Sequence, residues 1–540
     1  MKTDDKPESE ITLVGLLASL ASVLSFLTYL RRGDLLLYGD AVAHTNIARR
    51  VFDSLTPGPL QLGTVWLPLP HLLMMPFLVS DWMWRNGAGG AIPSLVAYVF
   101  ATVGVFRLVR GIWGRMPAWL AAGVFGLNPN LLYLQSTAMT EPLAICLFVW
   151  AVVYLNEFAR GENGGAASHR ALLKSGWFIA AAELTRYDGW FLAFAAGLLV
   201  AAFAVRRWRD RQLRLAVIKF LLLLAAAPAL WLAYNAAAYR NPLEFANGPY
   251  SAKAIDQRNT SATFPAHPGA GNVRVAGQYF LKAAEANMGE GRWQKLWIVF
   301  LVGGMILVGF RFLTRRCFDP VLAVALLLTP IPFYMLTMAY AGVPLYVPGW
   351  WPFGLYNIRY GLQLLPAFAV LTAVLAASLA ELVRVQWLKA SVAGLIAMLV
   401  AGSYASAWKA QPIGYREAWV NSRARLAQEK EMARQVRLWP RDSIILMDLS
   451  YHSWVMQDAG VPFRRVINEV NHRPWMKAVD PEGPWDLALA DPAKYADFVV
   501  ACDGDQVAKA VNRRDLTLLS VIETQGQPTA RLYAVKKHGN

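Results

Sequence analysis

The sequence predicts a polytopic α-helical membrane protein followed by a C-terminal α/β domain. The chain has 540 residues, of which 56% are hydrophobic, and its mean hydropathy is +0.33. Apolar runs such as 11–30 and 360–382 have the roughly 20 residues needed to cross about 30 Å of hydrocarbon. After residue 408 the composition changes, because charged and strand-like stretches replace the apolar runs.

About eleven apolar runs are long enough to cross, and they make residues 1–408 a transmembrane domain. The runs cover residues 11–30, 92–109, 117–136, 141–157, 172–186, 189–205, 215–238, 294–312, 320–340, 358–382 and 388–407. Basic connections, around Arg107, Arg160, Arg206, Arg311 and Arg384, alternate with mixed ones. The basic connections and the N-terminus are predicted to be cytoplasmic, so the mixed connections lie outside.

One further apolar run, 66–83, is predicted to lie along the outer surface rather than to cross the membrane. It is short and contains Pro68, Pro70 and Pro76. Counting it as a crossing would also place the basic cluster around Arg107 outside. Helical spacing of apolar residues predicts another short helix over Gly39–Leu55. Residues 39–83 are therefore predicted to form surface helices.

Two later segments are also predicted to lie outside. Residues 239–292 are rich in Asn, Pro and Gly and predict a weakly structured outer loop, typical of a lid or an acceptor-binding element. Residues 409–540 open with a charged helix over 417–437 and continue with alternating strand-like and helix-like runs. They predict an extracytoplasmic α/β domain without a phosphate-binding glycine motif.

The net charge of +16 does not predict a nucleic-acid partner, because the basic residues follow the positive-inside pattern of a membrane protein. The three cysteines, Cys146, Cys317 and Cys502, are too scattered for a disulfide framework or a metal cluster. No compact metal-binding or nucleophile motif is present in the sequence. Any metal site would have to be assembled from separate segments.

Asp40 and His44 lie four residues apart, and hence on one face of the first outer helix. Asp40 is a candidate general base at the lipid–water boundary, and its alternative role is the N-cap of that helix. His44 is a candidate to orient Asp40, to bind a phosphate or to ligate a metal. The alternative for His44 is a polar position on the wet face of the helix.

Three more charged residues are predicted on the same side as Asp40. Glu141 is followed by Pro142 at the start of a span, where a carboxylate also suits the helix dipole. Arg186 and Asp188 lie in a very short connection, and they predict either a self-neutralising pair or an arginine that faces an anionic head group.

Arg359 is the only basic residue between Arg316 and Arg384, and it is predicted to lie outside, against the positive-inside trend. A guanidinium at the interface suits a lipid phosphate, because its donors form a fork. The alternative is an ordinary interfacial arginine that snorkels to water.

The order and the shared side of these residues resemble the GT-C superfamily of polyprenyl-phosphate-sugar-dependent glycosyltransferases. The resemblance implies that Asp40 is the catalytic base, that Glu141 matches a second acidic residue, and that Arg359, in Arg359–Tyr360, contacts the lipid phosphate. Ala48–Arg49 resembles the Ala-Arg that follows the acidic residue in the family. Unlike many members, this chain has Ala41 after Asp40, and Trp66–His71 replaces the Lys-Pro-Pro of aminoarabinose transferases.

The resemblance therefore implies an inverting hexosyl- or pentosyltransferase of the inner (plasma) membrane, active in cell-envelope glycosylation. Its donor is a polyprenyl-phosphate sugar in the membrane lipid, and its acceptor is a hydroxyl or amine on a protein, lipid or glycan. The substrate-binding candidates are His44, Glu141, Arg186, Asp188, Arg359 and Tyr360. Asp40, His44 and Glu141 are the candidates to hold a divalent metal. The alternative functions are a transporter or flippase of lipid-linked sugars and a non-enzymatic assembly protein.

Overall fold

The computed structural model describes residues 7–161, 165–205, 207–259, 266–315, 319–471, 483–511 and 515–536. Arg206, Arg316 and Cys317 lie outside the described residues. The described chain is mostly helical, with one five-stranded sheet near its C-terminus.

The described residues of the first half of the chain form eleven α-helices. They are α1 (Pro7–Arg32), α2 (Gly39–Arg50), α3 (Leu69–Leu78), α4 (Asp81–Asn86), α5 (Ala88–Trp113), α6 (Arg115–Gly126), α7 (Pro129–Leu134), α8 (Glu141–Arg160), α9 (Ala166–Glu183), α10 (Asp188–Val205) and α11 (Arg211–Tyr239). The next part contains α12 (Glu244–Asn247), α13 (Ala252–Asn259), α14 (Val273–Ala286), α15 (Trp293–Arg315), α16 (Asp319–Leu327), α17 (Pro330–Tyr340), α18 (Leu365–Glu381), α19 (Gln386–Lys409) and α20 (Ile413–Val436). A 3₁₀ helix over Ile358–Leu364 leads directly into α18.

Within the described residues, nine helical segments are long and apolar enough to cross a membrane. The predicted spans 117–136 and 172–186 are not among them. In place of the first, α6 has only 12 residues, about 18 Å, and the chain restarts as α7 with Asn128 as its N-cap. In place of the second, α9 carries His169, Arg170 and Lys174, which lower its hydropathy.

The segment between α1 and α5 contains the short helices α2, α3 and α4. That residues 39–83 lie along the outer surface of the membrane stays a prediction. α2 ends at Arg50 rather than at Leu55, and the chain turns there. α3 has 10 residues, about 15 Å, which is too short to cross the hydrocarbon. Its Leu72 and Leu73 are exposed, as expected for a helix whose apolar face meets lipid.

The prediction of a weakly structured loop over 239–292 is wrong for Val273–Ala286, which form α14. Asn272 caps this helix by accepting a hydrogen bond from the backbone N–H of Val275 at 3.1 Å. Its buried face consists of small residues and aromatic rings at helical spacing, including Phe280. The Asn, Pro and Gly residues that predict a loop over 239–292 lie mostly outside α14, whose own sequence has one Gly and no Asn or Pro. Residues 260–265 of the predicted loop lie outside the described residues.

Gly361 lies directly against the backbone of α14. A Cβ at Gly361 would lie 2.5 Å from the carbonyl carbon of Ala283 and 2.5 Å from the backbone nitrogen of Ala284. We expect Gly361→Ala to lower the free energy of unfolding by about 1–3 kcal/mol, because backbone must move to admit the methyl group. The measurement is the thermal unfolding midpoint of the purified protein.

Gly309→Ala in α15 is the matched control for this prediction. A Cβ at Gly309 meets no heavy atom within 4 Å, and Ala has the higher helix propensity. The control should therefore be neutral or stabilising. Equal midpoints for the two variants would show that the α14 contact does not constrain residue 361.

The C-terminal region is a small α/β unit. Its strands are β1 (Ile445–Met447), β2 (Val466–Ile467), β3 (Phe498–Cys502), β4 (Leu516–Ile522) and β5 (Ala530–Val535), in the order β2-β1-β3-β5-β4. β1 pairs in parallel with β2 and β3, and β5 is antiparallel to β3 and β4. Its helices are α21 (Trp454–Ala459), α22 (Pro484–Ala490), α23 (Pro492–Tyr495) and α24 (Gln506–Ala510).

α20 joins this unit to the membrane helices. It follows α19 after only three residues, and it packs against α7 and the 3₁₀ helix as well as against α21 and β4. The domain boundary between residues 408 and 409 stays a prediction. The position of α20 brings a side chain from the C-terminal part of the chain to the membrane helices.

Candidate active site

Five separate segments meet at one end of the helices. Asp40 lies in the first turn of α2, Glu141 opens α8, and Arg186 lies in the turn before α10. The 3₁₀ helix contributes Arg359, and α20 contributes Glu417. These side chains form one ion-pair network.

Arg359 is the centre of this network. Its Nε donates to Glu141 Oε1 at 3.2 Å, its Nη1 donates to Glu417 Oε1 at 3.0 Å, and its Nη2 contacts Asp40 Oδ2. Its side chain is only 5% exposed. The alternative of an arginine that snorkels to water is therefore wrong, because three carboxylates hold the guanidinium inside the protein.

Arg186 is the second arginine of the network. Its Nη1 donates to Glu141 Oε1 at 3.2 Å and to Thr140 Oγ1 at 3.1 Å, and its Nη2 donates to Tyr334 OH at 3.0 Å. Its Nε lies 3.5 Å from Asp188 Oδ2, so the predicted pair with Asp188 is present. The pair is not isolated, however, because Glu141 Oε1 also accepts a hydrogen bond from Arg359 and so joins the two arginines.

Aromatic rings cover both guanidinium groups. The Tyr360 ring centroid lies 5.1 Å from Arg186 Cζ and 5.0 Å from Arg359 Cζ, and the Tyr38 centroid lies 4.8 Å from Arg359 Cζ. Tyr334 stacks on Tyr360 with centroids 5.3 Å apart. These faces attract cations and exclude water from the charges.

The four carboxylates of the network differ greatly in exposure. The Asp40 side chain is 40% exposed, whereas those of Glu141, Asp188 and Glu417 are 0%, 6% and 1% exposed. Asp40 is not the N-cap, because Tyr38 occupies that position and the cap has no side-chain hydrogen bond. Asp40 is thus the one carboxylate of this set that a molecule from outside can readily reach.

His44 is buried rather than on a wet face, so that alternative is wrong. Its Nδ1 lies 2.9 Å from His71 Nε2, and its ring packs against Trp66 at a centroid distance of 4.8 Å. Burial and the charges of Arg186 and Arg359 lower the pKa of His44 to about 3. His44 is therefore neutral at pH 7 and can offer only a neutral hydrogen bond.

The burial of His44 and His71 predicts that the fold loses stability at acid pH. Burial also lowers the pKa of His71 well below its usual value, so below pH 6.5 the unfolded chain binds more protons than the folded one. Stability then falls as pH falls, by about 2 kcal/mol per histidine between pH 6.5 and 5. We expect His44→Gln to reduce this loss by about half, measured as unfolding midpoints over that range.

His169→Gln is the matched control for the acid prediction. His169 lies near the start of α9, at the opposite end of that helix from Arg186. An acid dependence reduced equally by both substitutions would contradict a role for the buried pair.

The predicted metal ligands do not come together as a group. Asp40 and Glu141 contact Arg359, and His44 contacts His71. Across the described ranges, no group of three or more His, Cys, Asp or Glu residues has metal-site geometry.

The sequence reasoning missed several members of the site. The sequence predicts Glu417 only as part of a charged helix of the C-terminal domain, and no sequence motif points to Tyr38, His71 or Tyr334. Glu417 also accepts the backbone N–H groups of Asn357 and Ile358 at 2.8 and 2.9 Å, so it positions the 3₁₀ helix. The available signal is that Glu417 lies in the first turns of α20, close to the last apolar span.

Comparison with known structures identifies the fold. ArnT from Cupriavidus metallidurans bound to undecaprenyl phosphate is similar over 97% of this chain and 98% of that chain, with 13% sequence identity and a TM-score of 0.59. The same protein in the apo state matches over 97% and 98%, with 12% identity and a TM-score of 0.52. This chain has the ArnT fold.

The similarity to ArnT over nearly the whole chain agrees with the predicted architecture of many membrane helices followed by a C-terminal domain. With nine apolar helical segments in its described part, the chain is an integral membrane protein. No protein-family model matches the sequence. No curated protein matches it in sequence.

Proposed function

We propose that this protein is an inverting glycosyltransferase that moves a sugar from a polyprenyl-phosphate donor to a hydroxyl or amine acceptor. The observation that carries the proposal is the accessible Asp40 carboxylate, held by Arg359 at one end of an ArnT fold. The ArnT structure with undecaprenyl phosphate supports a polyprenyl-phosphate donor. The sugar is a hexose or a pentose.

Asp40 is proposed as the base because an acceptor can reach its carboxylate and because Arg359 fixes the orientation of that carboxylate. Arg359 holds its Oδ2 and leaves part of the side chain open to solvent. The other carboxylates of the network are nearly or fully buried, so an incoming acceptor cannot reach them without rearrangement. A base must lie within hydrogen-bond reach of the proton that it takes.

One exposed carboxylate suffices for this reaction. A glycosidase needs a second carboxyl group, because its leaving group must be protonated. A lipid phosphate leaves as a stable anion and needs nearby positive charge instead. The remaining requirement is a base for the acceptor.

Arg186 is the better candidate to contact the donor phosphate. Its side chain is 17% exposed, compared with 5% for Arg359. Arg359 is engaged by three carboxylates, so its proposed role is to position Asp40 and to contribute positive charge at short range. His44 is neutral and is proposed only as a hydrogen-bonding group, whereas Glu141, Asp188 and Tyr360 position the two arginines.

The proposed step is a direct displacement. The acceptor oxygen or nitrogen forms a bond to the anomeric carbon, and the bond from that carbon to the phosphate oxygen breaks. The electron pair leaves with the polyprenyl phosphate, and the acceptor proton passes to Asp40. Attack from the face opposite the leaving group inverts the anomeric centre.

The proposed location is the outer face of the inner (plasma) membrane, with the C-terminal unit also outside the cytoplasm. α8 and α10 are both apolar enough to span, and both begin at the network, with Glu141 and Asp188. The reaction centre therefore lies at the ends of spans, where a lipid head group and a water-borne acceptor can meet.

The same placement argues against the two alternative functions. A transporter keeps ionisable groups and broken helices near the middle of the bilayer, whereas this network lies at the ends of helices. A non-enzymatic assembly protein has no need of an exposed carboxylate held by a buried arginine. No specific observation favours either alternative.

The test is transfer by purified protein from a panel of polyprenyl-phosphate sugars to protein, lipid and glycan acceptors. We expect release of polyprenyl phosphate and a product of inverted anomeric configuration, identified by NMR. A product of retained configuration would overturn the displacement mechanism. Movement of donor across a vesicle membrane without transfer would instead favour the flippase.

A further inference from the structure

Arg50 is a buried arginine whose side chain makes no hydrogen bond to any described residue. It ends α2, and its side chain is only 10% exposed. Its Nη1 lies 4.0 Å from Glu469 Oε1, which is too far for a hydrogen bond, and its Nε is enclosed without a partner. A guanidinium has five donors, and buried donors are normally satisfied. The described chain therefore leaves Arg50 without the acceptors that its donors require.

Two carboxylates lie beside Arg50, at the carboxyl ends of neighbouring parallel strands. Asp448 directly follows β1, and Glu469 lies just after β2. Burial and the charge of Asp448 raise the pKa of Glu469 to about 7, so the two carboxylates interact. The backbone N–H of Leu449 donates to Glu469 Oε2 at 2.8 Å, which leaves Oε1 to face Arg50. Ligands of α/β sheets commonly bind at this end of the strands.

Two exposed tyrosines flank these carboxylates. Tyr451 lies in the turn after β1 and is 72% exposed, and Tyr250 lies before α13 and is 41% exposed. Burial and the charges of Glu469 and Asp448 raise the pKa of Tyr250, so Tyr250 lies close to both. Tyr250 belongs to segment 239–292, which the sequence predicts as a lid or an acceptor-binding element. We call this group the Arg50 cluster, and its members are Arg50, Asp448, Glu469, Tyr250 and Tyr451.

The Arg50 cluster shares a helix with Asp40, and two buried histidines lie between the cluster and the reaction centre. Arg50 is ten residues after Asp40, about 15 Å along α2. After burial and His44, the charge of Arg50 also lowers the pKa of His71, and His71 Nε2 lies 2.9 Å from His44 Nδ1. A molecule that contacts both Arg50 and Asp40 must therefore be extended.

The charges of the cluster favour a ligand with neutral hydroxyl groups. An anion at Arg50 would also meet the carboxylates of Glu469 and Asp448, and a cation at the carboxylates would meet Arg50. Arg258 is near as well, but its Nη2 donates to the carbonyl oxygen of Pro249 at 2.7 Å.

The gap between Arg50 and Glu469 fits a single hydroxyl group. An oxygen about 2.8 Å from Nη1 and from Oε1 would bridge their separation of 4.0 Å. A hydroxyl oxygen can accept from the guanidinium and donate to the carboxylate at the same time. A peptide amide cannot, because its nitrogen donates and its oxygen accepts. The gap therefore favours a carbohydrate over a peptide.

We propose that the Arg50 cluster binds a sugar unit of the acceptor, and that the acceptor is therefore a neutral glycan. This inference rests on the proposed transferase function and names the class of its acceptor. Tyr250 and Tyr451 each combine an apolar ring with a polar tip, which suits the mixed surface of a sugar. The distance between Arg50 and Asp40 implies an oligosaccharide rather than a single sugar.

A simpler account is that a water molecule bridges Arg50 and Glu469, and that this pair only holds the C-terminal unit on α2. That account predicts no binding of sugars. Arg464 provides the comparison, because its Nη1 lies 3.4 Å from Asp53 Oδ1. It thus joins the C-terminal unit to the segment that follows α2, but it does not belong to the Arg50 cluster.

The experiment measures binding to the purified full chain in a detergent without a sugar head group, and no donor is added. The probes are an array of neutral, acidic and amino-sugar glycans, from monosaccharides to pentasaccharides, and a set of unglycosylated peptides. We expect neutral oligosaccharides to bind best. Arg50→Gln should lower their affinity by about 10- to 100-fold, the usual contribution of hydrogen bonds to a charged group.

Tyr451→Ala should lower the affinity by about threefold, because it removes one aromatic face. Tyr451 is largely exposed, so this variant tests the cluster even if Arg50→Gln fails to fold. Arg464→Gln is the matched control and should leave binding unchanged.

The absence of glycan binding, or better binding of acidic glycans or of peptides, would overturn the inference. Wild-type affinity in both Arg50→Gln and Tyr451→Ala would also overturn it. Transfer to a protein or lipid acceptor without glycan binding would overturn the glycan inference and leave the transferase function intact. Glycan binding without any transfer would support the Arg50 cluster and count against the transferase function, so the two proposals can fail independently.

Discussion

Asp40→Asn is expected to lower the rate of sugar transfer by about 10²- to 10⁴-fold, the usual contribution of a general base. The amide keeps the shape of the carboxylate but cannot take the acceptor proton. Donor binding should change little, because Arg186 keeps its contacts with Glu141 and Tyr334. The measurements are the turnover rate with the active donor and, separately, binding of the polyprenyl phosphate.

Asp81→Asn is the matched control for this prediction. Asp81 belongs to the same segment between α1 and α5, its side chain is 75% exposed, and it pairs with Arg49 rather than with the network. It should transfer at the wild-type rate. Full turnover by Asp40→Asn would overturn its assignment as the base. A loss of donor binding together with turnover would indicate that Asp40 binds substrate instead.

Arg359→Gln is expected to abolish transfer and to destabilise the protein by about 3–5 kcal/mol, because it leaves buried charges without their partner. Glu141 and Glu417, which are 0% and 1% exposed, both lose a contact with the guanidinium. The measurements are activity and the thermal unfolding midpoint. Arg359→Lys should also be impaired, because an ammonium cannot hold three carboxylates in the geometry of the guanidinium.

A double variant tests whether the loss of stability comes from the unpaired buried carboxylates. Arg359→Gln/Glu417→Gln removes one of the stranded carboxylates, so it should regain part of the lost stability without regaining activity. Arg437→Gln is the control, since it breaks an exposed pair with Asp458 and should cost about 0–1 kcal/mol. A similar cost for Arg359→Gln and Arg437→Gln would contradict the central role of the network.

Local pattern predicted the elements of the fold well where a long apolar run dominates. The helices α1, α5, α8 and α10 lie close to predicted spans, because a run of about 20 apolar residues has few alternatives to a membrane helix. Local pattern failed where small residues pack a helix, as in α14 around Phe280. It also failed at Asn128, where a side-chain cap starts a new helix.

The sequence predicts residues of the site individually, but it does not predict the contacts between them. Arg359 and Asp40 are 319 residues apart, and Arg359 and Glu141 are 218 residues apart. No local signal joins positions so distant, so sequence reasoning offered Arg359 only as a phosphate ligand or a snorkelling arginine. The fold makes it the partner of three carboxylates.

The sequence by itself determined the polytopic helical architecture, the candidate Asp40 and the grouping of charged residues at span ends. These features depend on the length of an apolar run and on the charges beside it, and both can be read from neighbouring residues. Only the tertiary structure decided which carboxylate stays open and which are buried. Exposure depends on neighbours from distant segments, such as α20, which brings Glu417 to Arg359. Burial also decided that His44 is neutral and pairs with His71.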